Sequence, residues 1–128
     1  MTEQSTQTYI PGVCNINREE IAFRRKWRNI GVIVTVLLAA ILFVLSANRW
    51  LRILIFLPAF VAAINYLQTK NRFCVSYAAS GLQNASEGST KADKVAADAH
   101  QLDQAKARKM NMQAGVAALI VTAAALAV

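Results

Sequence analysis

Charge is scarce in this chain. Only 16% of its 128 residues are Asp, Glu, Lys or Arg, against about 25% in soluble globular domains. Two long stretches carry no charge at all. Cysteine is limited to two residues, which excludes a disulfide-rich secreted scaffold. A single histidine, His100, leaves no Ser/His/Asp arrangement that could be assembled without assuming proximity. Neither a P-loop nor a GxGxxG run occurs. The length leaves no room for separate substrate and cofactor domains. What is abundant is apolar surface. Apolar residues make up 55% of the chain, and mean hydropathy is +0.33. That content excludes a disordered protein. The fold class is all-α: an integral membrane protein built from a transmembrane helical hairpin plus a third transmembrane helix.

The chain divides into four parts. Residues 1–17 form an irregular arm, with a turn signal at Pro11-Gly12. Residues 18–69 hold an interfacial helix and a two-span hairpin. Residues 70–109 are a polar loop with a solvated helix. Residues 110–128 are the third span.

Asn17 is placed to cap the first helix. Glu20, three positions on, is placed to reach back to its orphan donors. Phe23, Trp27 and Ile30 recur on one helix face, and Arg18, Arg24, Arg25, Lys26 and Arg28 surround them. This predicts a membrane-surface turn with Trp27 at headgroup level and arginines snorkelling to water. The first span, from Asn29 to Asn48, has no charge and fills roughly 30 Å, one bilayer core. Asn48-Arg49-Trp50-Leu51-Arg52 reads as a tight turn with Trp50, Arg49 and Arg52 as interface anchors. The second span runs from about Ile53 to Leu67 with Pro58 inside it, which predicts a kink near Leu54 to Pro58. Asn65 and Tyr66 near its far end are either interface residues or interhelical hydrogen-bond donors.

The segment from Lys70 to Ser89 is rich in Ser, Asn and Gly and reads as loop. A helix is expected from Thr90, where Asp93 supplies the capping-box spacing. Val95, Ala99, Leu102 and Ala105 give it a thin apolar stripe. The last segment is apolar but mostly Ala. Ala114, Gly115 and Ala118 offer small side chains for close helix packing, so it reads as a span that packs on protein or as a surface-lying helix.

Net charge is +7. A basic balance in a soluble protein would raise nucleic acid as a partner, but no aromatic-interleaved basic groove or nucleic-acid motif is present. The basic residues instead flank the spans, facing a lipid bilayer with anionic headgroups. Five precede the first span, two lie in the turn and seven lie in residues 70–109. The positive-inside rule then places the N-terminus and the 70–109 loop in the cytoplasm, and the short turn and the C-terminal residue outside. The sequon at Asn84-Ala-Ser86 falls on that cytoplasmic loop and is read as chance.

Cys14 and Cys74 fall on the same side of the membrane. They are read as a redox pair, a shared metal site, a disulfide between arm and loop, or two free thiols. His100 lies too far along the loop helix to complete a four-ligand zinc site, so no metal or cofactor is implied. No span carries an ionisable residue at its centre, which removes the usual pointer to an ion path. A homo-oligomeric pore lined by Thr35, Ser46 or Thr122 stays open.

Cys14-Asn15-Ile16, then Glu20-Ile21, Arg24-Arg25 and, after the second span, Phe73-Cys74 resemble a group of small multi-pass bacterial membrane proteins with no assigned activity. The resemblance covers about residues 12–75. It implies a two-span hairpin and implies that the two cysteines belong together. Asn17 departs from the Gly of that group, and the chain after about residue 80 has no counterpart in it. The resulting expectation is a structural or accessory membrane protein that packs against a larger membrane complex or self-associates. A thiol-active membrane protein and a small oligomeric channel are the alternatives.

Overall fold

The computed structural model describes residues 9–46, 48–86 and 91–127. Three helices are long and apolar enough to cross a membrane. Helix α1 spans Arg18–Val44. Asn17 caps it as expected: its side chain accepts the Glu20 backbone N–H at 3.0 Å. A left-handed Ser46 (φ 51°) follows its end. The turn is a 3-10 helix, Arg49–Ile55, capped by the Asn48 side chain on the Trp50 N–H. It leads directly into α2, Phe56–Asn71.

The kink expected around Pro58 is instead this 3-10 to α junction. Pro58 is the third residue of α2. First-turn N–H groups have no α-helical partner, so the proline there removes no α-helical bond.

The segment read as loop contains more structure than its composition suggests. Helix α2 continues to Asn71, and a short α3 follows at Val75–Ser80. Gln68 builds the corner between them. Its backbone carbonyl accepts the Phe73 N–H, and its side-chain oxygen accepts the Val75 N–H at 3.0 Å. Arg72, at φ 53°, turns the chain. After α3 a two-residue strand β1, Leu82–Gln83, pairs antiparallel with β2, Asp93–Lys94.

Asp93 therefore lies in a strand and not in the first turn of a helix, while Thr90 lies outside the described residues, as do residues 1–8 of the arm. Helix α4 begins at Ala97 and runs unbroken to Ala127. The solvated helix and the third apolar segment are thus one rod, about 46 Å long at 1.5 Å per residue.

Helix α2 packs against both α1 and α4, and α3 lies on α4. The α1–α2 contact is close because of Gly31. A β-carbon there would meet the Ala62 backbone nitrogen at 2.7 Å. The main core gathers Ile64, Phe73, Ala78, Ala107, Met110 and Ala114. A smaller one at the far end joins Leu42, Ile55 and Ala125. Both are small for the apolar content. Only 11% of the most apolar stretch of α1 is buried, and Val44 is 81% exposed. Such a surface is costly in water and ordinary in lipid.

The packed face of α4 follows Ala107, Met110, Ala114, Ala118, Thr122 and Ala125. Ala114 and Ala118 are fully buried, as their size suggested. Gly115 is off that face, with open space where a β-carbon would stand. The first turns of α4 also differ from the expected stripe. Ala99 is buried, but Leu102 is exposed and Asp103 is fully buried in its place.

Candidate functional site

The described polar residues concentrate at one end of the helices, in a cap built from the arm, the start of α1, α3 and the strand segment. Its centre is the run Asn15-Ile16-Asn17, all three buried. Asn15 acts as a substitute strand. Its side-chain amide donates to the Cys74 carbonyl at 3.1 Å, and its side-chain oxygen accepts the Cys74 N–H at 2.7 Å. Its backbone N–H donates to Arg72 and its carbonyl accepts from the Asn84 N–H. Ile16 pairs with Asn84 as a parallel bridge. Asn17 donates to the Ser86 carbonyl at 2.7 Å.

The second layer of the cap is ionic. Glu20 accepts from Arg24 at 2.7 Å, from the Tyr77 hydroxyl at 2.5 Å and from the Asn84 amide at 2.9 Å. Arg24 also donates to the Cys74 sulfur at 2.9 Å and lies over the Tyr77 ring. Burial pushes the Tyr77 hydroxyl up to about 12, and its bond to the Glu20 carboxylate adds to the shift.

Asp103 fastens the arm to α4. One oxygen accepts the Tyr9 hydroxyl at 2.6 Å and the other the Gly12 N–H at 2.7 Å. Gly12 supplies the left-handed turn (φ 71°) that aims this N–H. Burial, then the bond to Asp103, raises the Tyr9 hydroxyl well above the usual phenol range.

The sequence-derived site residues separate into those on the surface and those drawn inward. Arg25, Arg49, Trp27 and Trp50 are exposed, as interface anchors require, and Arg28 is half-buried. Trp27 packs edge-on against Phe23. Arg24 does not snorkel: the cap holds it. Arg52 also turns inward, since it donates to the Ala125 carbonyl at 3.0 Å and covers the Phe43 ring. Helix α4 has no basic residue in its last turn, so Arg52 supplies the cation its carbonyl end favours.

Neither Cys14 nor Cys74 is in a disulfide; Cys14 is half-buried and Cys74 only 1% exposed. The His100 ring packs on Gly81 and its Nε2 lies 3.3 Å from the Ala79 carbonyl oxygen. Asn65 bonds within its own helix, to the Val61 carbonyl and the Gln68 side chain, whereas Tyr66 is exposed. Thr35 and Thr122 donate to the Gly31 and Ala118 carbonyls of their own helices. Asn84, the sequon residue, is buried with its amide on Glu20.

Asn15, Tyr77, Asn84 and Asp103 were not singled out as site residues by the sequence. The signals for this centre are the two asparagines flanking Ile16 and the Cys14-Asn15-Ile16 and Phe73-Cys74 runs. Among the described residues no three His, Cys, Asp or Glu side chains gather where they could hold a metal ion. Chemically, the cap is an internal fastening. Its carboxylates accept from the protein's own donors, and its buried thiol faces a guanidinium. In comparisons with known proteins, the chain matches no family model, no curated protein and no solved structure.

Proposed function

We propose that this chain is a small structural or accessory protein of a bacterial inner membrane. In this reading α1, the 3-10/α2 unit and α4 cross the bilayer, and the cap lies in the cytoplasm. The helices pack against a larger membrane complex or against further copies of the chain. One observation carries the proposal: the cap's polar groups bond to one another, while the long helices leave most of their apolar faces uncovered. A protein so arranged offers surface, not reactive groups. The test is purification of tagged protein from its native membrane in mild detergent, with co-purifying chains quantified by mass spectrometry. A stoichiometric larger partner or a discrete homo-oligomer supports the reading. A monomer with neither sinks it.

A thiol role is the second reading. The pairing of Asn15 with Cys74 brings the two cysteine-bearing segments side by side, and Arg24 touches the Cys74 sulfur. Thiol trapping in cells tests it. Two thiols always free, with Cys14→Ser and Cys74→Ser harmless to function, would end it.

A further inference from the structure

Four cations share one cleft at the cap end of the hairpin. Arg18 and Arg25 of α1 and Lys70 and Arg72 at the end of α2, with Thr69 and Ile21, enclose about 550 Å³. Among the described residues no carboxylate lines it. A second space, of about 260 Å³, is walled by Val32, Val36, Ala59, Ala63, Ala117 and Val121. It is an apolar groove where α1, α2 and α4 meet.

The two spaces lie on one seam. Arg25 stands seven residues before Val32, and Lys70 stands seven residues after Ala63. Seven residues are close to two helical turns, so each pair occupies one helix face, about 10 Å apart along the axis. The helices run antiparallel, since Arg24 meets Cys74 at one end and Leu42 meets Ile55 at the other. Both displacements therefore point the same way, from cleft to groove. Asn29 and Tyr66 fall between them, and both are exposed.

A cationic cleft with an apolar groove beneath it matches the two parts of one ligand. We propose that this seam binds an anionic phospholipid. The phosphate sits among Arg18, Arg25, Lys70 and Arg72, and one acyl chain lies in the groove between α1, α2 and α4. Guanidinium forks suit phosphate oxygens. The net positive cleft disfavours a zwitterionic headgroup, which brings its own cation. The proposal rests on the membrane reading above.

The test uses the full chain in mild detergent, supplied with phosphatidylglycerol or phosphatidylcholine and read by native mass spectrometry. One phosphatidylglycerol per chain should survive desolvation, in clear preference to phosphatidylcholine. Arg25→Gln with Lys70→Gln should lower that retention about tenfold. Lys26→Gln with Arg28→Gln removes equal charge outside the cleft and should leave it unchanged. Ala117→Phe fills the groove from an exposed position and should lower retention with the cleft intact. Equal retention of both lipids, or equal loss in the two double variants, overturns the site. Displacement of the lipid by millimolar inorganic phosphate assigns the cleft to a free anion and also overturns it. Failure of the membrane reading is seen separately, as release of the protein from membranes by alkaline carbonate.

Discussion

A β-carbon on Gly31 would stand 2.7 Å from the Ala62 nitrogen and 2.9 Å from its α-carbon. The neighbour is backbone, so it cannot swing aside. Gly31→Ala must push α1 away from α2, at a cost of about 1–3 kcal/mol for overpacking. Gly115→Ala meets open space and replaces glycine with a better helix former, so it should be neutral or stabilising. Thermal unfolding in detergent should show a lower Tm for the first variant only. Equal Tm values would refute the close approach.

Asn15→Ala removes the acceptor of the buried Cys74 N–H and one of two donors to the Cys74 carbonyl, which keeps the Ala78 N–H. Leaving that N–H unsatisfied costs about 1–3 kcal/mol. The arm should loosen, with faster hydrogen exchange at the Cys74 amide and faster proteolysis before residue 18. Asn29→Ala, on the exposed face of α1, should do neither.

The two thiols should react at different rates. Cys14 is half-buried, whereas Cys74 lies beneath Asn15 and Arg24. A bulky maleimide should label Cys14 within the folded protein and Cys74 only after unfolding, so Cys14→Ser should abolish native labelling. Rapid labelling of that variant would show that the cap is open.

Tyr77 gives the cap an alkaline limit. Its hydroxyl is raised from 10.0 to about 12 by burial and by the Glu20 carboxylate. A group raised on folding stabilises below its unfolded value and loses that contribution as pH rises through its folded value. The Tyr77 contribution should hold to about pH 10 and disappear through about pH 12. The phenolate absorbance difference between the parent and Tyr77→Phe should show a midpoint near the upper value. A midpoint at the ordinary tyrosine value would place Tyr77 outside the cap.

Local signals in the sequence were readable. Asn17 with Glu20 marks the start of α1, and Asn48 to Arg52 marks the turn, whereas the uncharged run from Asn29 to Asn48 overshoots the helix, which ends at Val44. The cap was not readable, because its residues meet across the chain. Asn15 and Cys74 are 59 positions apart, and Gly12 and Asp103 are 91 apart. The Ser, Asn and Gly content of residues 70–89 reads as loop because the partners that order residues 70–86 lie in the arm, α1 and α4. An apolar stripe selects Leu102. Asp103 is buried only because Tyr9 and Gly12 supply donors, which no periodicity reveals. Small-residue counting favoured Gly115 in its alanine run, whereas Gly31, alone among bulky neighbours, makes the contact.

The bond between Gly12 and Asp103 also sets a timetable. A ribosome adding about 5–20 residues per second reaches position 103 roughly 5–20 s after position 12. During that interval the arm has been made but its anchor on α4 does not exist. The turn at Gly12 is thus made well before the residue that fastens it. A closed cap reports that α4 has been made and seated. A chain that stops short of α4 still has Asn15 on Cys74, but leaves Tyr9 and Gly12 without their acceptor.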